Sequence, residues 1–125
     1  MNIGEVEAAT GVSQRMIRHY EKIGLVPSPS RTSGGYRDYG DADVARIRFI
    51  GLARTIGLEI DSISDMLGLW NDVRSPEETA QLARVRVEAL ATRWRSIIEL
   101  SAALEGLAEG AARGLPPSFP WGGTA

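Results

Sequence analysis

The sequence predicts a mainly α fold, with a small N-terminal helical domain followed by one long C-terminal helix. Three observations predict it. Two short helical segments flank Gly11, a double-glycine turn stands at Gly34 and Gly35, and residues 77–105 contain neither glycine nor proline. A chain of 125 residues is long enough for one compact domain with an extended arm.

The N-terminal residues predict a helix-turn-helix. Ile3 and Val6 share one face of a first helix with Ala9, and Gly11 can adopt the positive φ that a tight turn requires. Ser13 is placed to cap a second helix. Met16 and Ile17 are expected to pack against the first helix, with Tyr20 at the edge of that contact. The opposite, open face carries Arg15, Arg18, His19 and Lys22.

Charge is concentrated in this region. Residues 13–37 contain five cations and one anion, a local net charge of +4 in a chain whose net charge is −2. A basic patch on an acidic protein indicates a polyanionic partner, and double-stranded DNA is the leading candidate. The alternative interpretation is a solvated charged helix face, which is what most charge clusters are.

A hairpin is predicted after the second helix. Pro27 and Pro29 force an extended segment, and Gly34-Gly35 is typical of a turn between two short arms. Arg31 and Arg37 would lie on these arms. The adjacent Tyr36 could contact DNA or fill the space beneath the hairpin, and the sequence favours neither.

Two further helices are predicted next. Asp41 is expected to cap a helix that runs to about Ile56, with Gly57 at the position after its C-terminal cap. Residues 58–61 begin the following helix. The residues expected to face inward from that helix are Ile63, Met66, Leu67 and Trp70.

The long helix has a strong start signal, because Ser75 can cap it, Pro76 suits its first position and Glu78 can complete a capping box. Apolar residues then follow the 3-4 spacing of a coiled coil over roughly 45–50 Å. This pattern predicts a homodimer, whereas the alternative is a helix folded onto its own N-terminal domain. The predicted dimerisation residues are Val87, Leu90, Trp94, Ile97 and Leu104.

These motifs together resemble the mercury-resistance regulator (MerR) family of bacterial transcription factors over about residues 1–110. The branch most similar is the small metal-responsive one, which includes the copper-efflux regulators. The matching segments are Ile3-Gly4-Glu5-Val6, Gly11-Val12-Ser13, Ile17-Arg18-His19-Tyr20-Glu21, Gly24-Leu25-Val26, Arg31, Gly35-Tyr36-Arg37-Asp38-Tyr39 and residues 47–57.

The resemblance implies a winged helix-turn-helix domain at 1–74, an antiparallel coiled-coil dimerisation helix at 75–109 and an effector-loop-like tail at 110–125. It implies a dimeric regulator that binds a palindromic promoter, distorts the DNA and thereby controls RNA polymerase. Arg54 resembles a backbone-contacting position, although a surface salt bridge is nearly as plausible for it. The predicted DNA-binding residues are Ser13, Arg15, Arg18, His19, Tyr20, Arg31, Tyr36, Arg37 and Arg54.

Cysteine-based metal sensing is excluded, because the chain contains no cysteine. Soft metals require thiolate or imidazole ligands, and the single histidine, His19, lies on the basic face. The positions that hold metal-binding cysteines in relatives fall at about Ala112 and Pro120. Glu77 stands where some relatives have cysteine or serine. We therefore predict no metal site and no cofactor.

The tail contains two aromatic residues, Phe119 and Trp121, on a proline-rich frame. Three interpretations remain open. The pair could pack permanently into the groove that the metal loop covers in relatives, close a pocket for a small apolar effector, or belong to a disordered tail from Gly122 onward. Together with Glu77, they form the candidate effector region.

Enzymatic activity is not expected, because no nucleophile–base pair or phosphate-binding glycine loop is evident. The competing function is an architectural or excisionase-like winged-helix DNA-binding protein, which the long seam disfavours. A dimeric scaffold whose basic patch binds another acidic partner is a third. No segment approaches the length of a membrane span, so we expect a cytoplasmic protein.

Overall fold

The computed structural model describes residues 1–71 and 73–122, and the chain divides into two units, residues 1–72 and 73–125. The mainly α fold class is confirmed. The first unit contains α1 (Ile3–Thr10), α2 (Gln14–Lys22), β1 (Ser30–Arg31), β2 (Arg37–Asp38), α3 (Asp41–Thr55), α4 (Ile60–Leu67) and a short 3₁₀ helix (Gly68–Trp70); the second contains α5 (Pro76–Ala112).

The helix-turn-helix forms where the sequence predicts it. Asn2 and Glu5 form a reciprocal capping box at the start of α1. That helix ends at Gly11, which adopts φ +75°. The Ser13 hydroxyl then accepts a hydrogen bond from the Met16 backbone N–H at 3.2 Å, so Ser13 is confirmed as the cap of α2.

The core of the first unit lies between α3 and the helices packed on it, since α3 contacts both α1 and α4. At Gly51 the turn before α2 comes unusually close to α3. A β-carbon added there would lie 2.7 Å from Val12 Cγ2, which is closer than atoms pack. The largest fully buried side chains are Val6, Ile17, Val26, Tyr39, Ile47, Ile50 and Ile63.

Two predictions about α3 and α4 are wrong in detail. The cap of α3 is Gly40, whose N–H donates to the Asp43 carboxylate at 3.0 Å, and Asp41 is the first helical residue. Trp70 does not face inward but is 69% exposed, with its ring edge-on to Phe49. The 3₁₀ helix after Leu67 has about three residues per turn, which rotates Trp70 away from the buried face.

The second unit is built on α5, which has 37 residues and a length of about 55 Å. Ser75 caps it by accepting the Glu78 N–H at 3.2 Å, and Pro76 occupies the first turn, as predicted. The helix continues through Gly106 and Gly110 to Ala112, three residues beyond the predicted boundary at 109. None of its residues is buried within this unit.

The chain reverses after α5. Gly114 adopts φ +75°, and the Leu115 N–H donates to the Gly110 carbonyl at 2.8 Å. A left-handed glycine with such a return bond satisfies the last carbonyls of a helix. Among the described residues, no helix combines the length and apolar character that crossing a membrane would require.

Candidate nucleic-acid interface

The second helix of the helix-turn-helix separates apolar and basic side chains. Ile17 is fully buried and Met16 is partly buried against the core. The opposite side carries four exposed groups that we call the basic face: Arg15, Arg18, His19 and Lys22. In the part of the chain that the structure describes, none of these four forms an ion pair, so their donors remain available to a polyanion.

Tyr20 lies differently from the prediction. The resemblance placed it among the DNA-contacting residues, but its side chain is only 3% exposed and belongs to the core. It occupies the same inward side of α2 as Ile17, three residues away and therefore on one helical face. We assign Tyr20 to supporting α2 from beneath.

The hairpin at residues 30–38, which we call the wing, is an antiparallel pair with Arg31 opposite Arg37. Its turn is closed by hydrogen bonds from the Gly35 N–H to the Thr32 carbonyl (2.9 Å) and from the Thr32 N–H to the Tyr36 carbonyl (2.7 Å). Gly35 adopts φ +84°, a conformation that other residues rarely adopt. The predicted double-glycine turn is confirmed.

Side chains on the wing are held near its turn. Arg31 donates from Nη1 to the Gly35 carbonyl at 2.9 Å, which keeps its guanidinium beside the tip. Tyr36 is 76% exposed, so it does not fill the space beneath the wing. Of the two interpretations of Tyr36, only the one that leaves it accessible agrees with the structure.

The wing is fastened to α2 through one acid. Glu21 accepts a hydrogen bond from Arg37 Nε at 3.1 Å and another from the Tyr39 hydroxyl. The side chain of Glu21 is only 7% exposed, whereas that of Arg37 is 37% exposed. Arg37 was predicted to contact DNA, but its Nε is committed to this ion pair.

Sequence reasoning missed the partnership of Glu21 with Tyr39. Burial, reinforced by the hydrogen bond to Glu21, raises the pKa of Tyr39 well above its usual range. The hydroxyl therefore remains a donor at any physiological pH. Two signals could have indicated the contact: Glu21 is the single acid among five nearby cations, and Arg37 and Tyr39 alternate as same-side residues of a strand do.

A third basic element borders α2. A groove of about 520 Å³ lies between the helix-turn-helix turn and α3, with Ser13, Arg48 and Arg54 among its lining residues. Arg54 donates to the Leu58 carbonyl at 3.0 Å, and the described residues give it no salt bridge. Sequence analysis missed Arg48, although Arg48, Gly51 and Thr55 have the 3-4 spacing of one helical face.

The remaining predicted residues lie in the second unit. Glu77 is exposed in the first turn of α5. Phe119 and Trp121 are both exposed by half or more, and their rings stack with centroids 6.3 Å apart. Apolar side chains exposed on α5 include the predicted dimerisation set, which we call the seam: Val87, Leu90, Trp94, Ile97 and Leu104.

Metal-binding groups do not converge in the regions described. Among residues 1–71 and 73–122, no cluster of three or more histidine, aspartate or glutamate side chains is placed to hold an ion. The sequence itself contains no cysteine.

An amphipathic second helix, a basic outer face and an anchored wing define a winged helix-turn-helix DNA-binding protein. Comparison with known families specifies it further. The family profile of the MerR helix-turn-helix regulatory proteins matches residues 1–69, and that of the MerR DNA-binding region matches residues 44–107. The chain belongs to the MerR family of transcriptional regulators, which are not enzymes.

Individual relatives agree with this assignment. The chain is 39% identical to heavy metal-dependent transcription regulator 2 of Rhizobium meliloti (strain 1021) over 109 residues, covering 86% of this chain and 74% of that protein. A MerR family regulator from Listeria monocytogenes superposes with a TM-score of 0.71 at 31% identity, covering 90% of this chain and 86% of that one.

A third structure shares the fold. It is HiNmlR, a MerR family regulator lacking the sensor domain, solved bound to promoter DNA. Its TM-score is 0.60 at 20% identity, covering 92% of this chain and 91% of that one.

Proposed function

We propose that this regulator acts as a homodimer on a palindromic promoter and controls transcription by distorting the DNA, without cysteine-based metal sensing. One observation carries the proposal: the basic face of α2 and the exposed wing belong to one anchored body, while the described residues of α5 present an exposed apolar seam. The first feature fits a groove and its flanking phosphates. The second fits another copy of the same helix.

The residues of the DNA-binding unit divide into three groups by position. Arg15, Arg18 and His19 on α2 would enter the major groove, where arginine can pair with guanine. Arg31 and Tyr36 would lie along the backbone from the wing. Ser13, Arg48 and Arg54 line the groove between the helix-turn-helix turn and α3. These three residues would bind a neighbouring phosphate.

Dimerisation is supported by the exposure of α5. Most of the stability of a helix in a protein comes from packing of its apolar face, and burial of each large seam residue contributes about 1.5–3 kcal/mol. The 3-4 spacing of the seam continues on both sides to Ala83 and Ala108, a span of more than three heptads, which favours a coiled coil over an accidental apolar patch. Two-fold symmetry would then place two copies of α2 on two half-sites of a palindrome.

DNA distortion and an effect on RNA polymerase are proposed from the family resemblance. HiNmlR, which shares this fold, was solved on promoter DNA. Bending a site of 20–30 base pairs costs roughly 1–6 kcal/mol, a cost that additional phosphate contacts can offset. Arg31 on the wing and Arg48 and Arg54 in the groove would supply such contacts at the edges of the binding site.

The effector proposed for this regulator is not a soft metal ion. Heavy metal-dependent regulator 2 of Rhizobium meliloti is named for its metal dependence, but this chain has no thiolate to bind a soft metal. The tail instead offers the stacked pair Phe119 and Trp121 near the end of the chain. An apolar or aromatic molecule that displaces Trp121 is the effector chemistry that the tail favours. Glu77 lies at the opposite end of α5, so it would join this site only from the partner copy of the proposed antiparallel dimer.

The proposal is tested by footprinting the purified protein on DNA upstream of its own gene, with and without small aromatic molecules. A protected palindrome with enhanced cleavage near its centre is expected, since distortion exposes the central steps. Protection that extends along the DNA without a fixed site would favour an architectural protein. Absence of protection at both low and moderate salt would contradict the proposal.

A further inference from the structure

The carboxylate of Glu21, whose side chain is 7% exposed, joins α2 to the wing. Each Glu21 oxygen accepts a different donor: Oε2 accepts from Arg37 Nε at 3.1 Å, and Oε1 accepts from the Tyr39 hydroxyl. A carboxylate held by two directional donors has little rotational freedom. We call Glu21, Arg37 and Tyr39 the wing anchor.

Both donors come from the same side of the wing. Arg37 belongs to β2, and Tyr39 is the first residue after that strand. Because alternate side chains of an extended chain point to the same side, Arg37 and Tyr39 both face α2. Tyr39 is also fixed from behind, because it is 2% exposed and its N–H donates to the Met1 carbonyl at 2.7 Å. The base of the wing therefore cannot rotate without breaking contacts to α2.

The tip of the wing has no such support. Gly34, Gly35 and Tyr36 are exposed, and the hydrogen bonds that the described residues give to the turn all lie within the hairpin itself. Any orientation that the tip has relative to α2 must be transmitted from its base. A two-stranded hairpin is marginal on its own, which makes its anchoring decisive.

We propose that Glu21, Arg37 and Tyr39 are positioning residues that fix the wing at one angle to α2, so that base contacts by the helix and backbone contacts by the wing form together. The inference rests on the proposed function. Under this proposal Arg37 does not contact DNA directly but holds the wing to α2 through its ion pair with Glu21. Preorganisation of this kind strengthens binding by reducing the ordering required when DNA arrives.

A double-mutant cycle distinguishes positioning from general stability. Tyr36→Ala removes a wing contact and Arg15→Ala removes a helix contact, and each is measured by fluorescence anisotropy in the wild-type and Glu21→Gln backgrounds. If the wing is released, the affinity lost through Tyr36→Ala should shrink by about threefold or more in Glu21→Gln. The affinity lost through Arg15→Ala should be the same in both backgrounds.

Tyr39→Phe provides the milder variant, since it deletes one hydroxyl and leaves the ring in the core. Residual dipolar couplings of the DNA-free protein then report the orientation of wing amides relative to α2. We expect these couplings to change at residues 31–37 in both variants, while the couplings of α3 stay fixed. Unchanged couplings together with additive affinity losses would overturn the inference.

The two hypotheses fail separately. A wild-type protein that binds no DNA contradicts the proposed function, and the dipolar couplings still decide whether the anchor orients the wing. A wild-type protein that binds its palindrome but shows additive losses retains the proposed function and refutes the anchor.

Discussion

Neighbouring residues of α2 lie on opposite sides of one helix. Ile17 is fully buried, and the next residue, Arg18, is exposed with no ion pair in the described regions. Consecutive helical positions differ by about 100°, so a single turn can both hold the helix to the core and present a cation. Adjacent side chains of α2 therefore provide a core contact and an exposed cation.

Arg18→Ala should weaken promoter binding and leave the fold and assembly unchanged. Loss of one base-directed arginine costs about 1–3 kcal/mol and relaxes preference at the contacted base pair. Anisotropy titrations on the palindrome and on a mismatched site measure both effects at two salt concentrations. Arg95→Ala on α5 is the matched control, because it removes an equal charge far along the sequence from α2.

Tyr36→Ala should weaken binding similarly on all sequences, because a contact to the backbone carries no base information. The exposed position of Tyr36 predicts no loss of thermal stability. A clear drop in melting temperature would instead indicate that Tyr36 supports the wing. Unchanged affinity at both salt concentrations would remove it from the DNA-contacting set.

The residues that sequence could identify were those whose role follows from local pattern. Ser13, the basic face and the Gly34-Gly35 turn are readable because caps, helical periodicity and turns depend on near neighbours. The burial of Tyr20 and the pairing of Glu21 with Tyr39 were not readable. They depend on where an element 18 residues away is placed, which periodicity does not encode.

At the scale of elements, the DNA-binding unit depends on a close approach between the helix-turn-helix turn and α3. Val12 is buried over Gly51, where any β-carbon would lie 2.7 Å from Val12 Cγ2. Valine has few alternative rotamers, so it cannot easily move aside. Gly51 is thus required by packing and not by an unusual backbone angle.

Gly51→Ala should destabilise the protein by about 1–3 kcal/mol, as overpacking of a core does. Gly106→Ala is the matched control, because nothing lies within 4 Å of its added β-carbon and helix propensity favours alanine by roughly 1 kcal/mol. Urea unfolding at one protein concentration compares the two. Equal stability changes of the same sign would show that the Val12 contact is not the cause.

The structure also shows where element-level prediction loses accuracy. Helix starts were predicted closely, because capping residues mark them. The end of α5 was predicted too early, because Gly106 and Gly110 remain helical until Gly114 adopts a positive φ. The predicted inward position of Trp70 was wrong because no residue pattern marks the change from α-helical to 3₁₀ geometry after Leu67.

At the scale of the molecule, we predict that the seam mediates dimerisation. Trp94→Glu should convert the proposed dimer into monomers and abolish binding to the palindrome, since a buried charge at a central heptad position is strongly unfavourable. Sedimentation velocity provides the measurement. Val85→Glu makes an equal chemical change off the seam and should leave the dimer intact, whereas a dimeric Trp94→Glu protein would refute the seam as interface.

We predict that this regulator does not respond to soft metals, in contrast to the metal dependence for which a relative is named. With no cysteine in the chain, the tail offers only carbonyls, hydroxyls and carboxylates, hard ligands that do not select Cu(I) or Hg(II). We expect no Cu(I) binding in competition with a chelator and no metal-dependent change in promoter footprint.

Ala112→Cys/Pro120→Cys introduces two thiols at the positions that correspond to the metal-binding cysteines of relatives, and this variant should gain Cu(I) affinity. Tryptophan fluorescence, with Phe119→Ala/Trp121→Ala as the control, reports whether the tail responds. Micromolar Cu(I) binding by the wild-type protein that alters the footprint would overturn the claim, and unaltered DNA distortion in the double alanine variant would make the tail a passive extension.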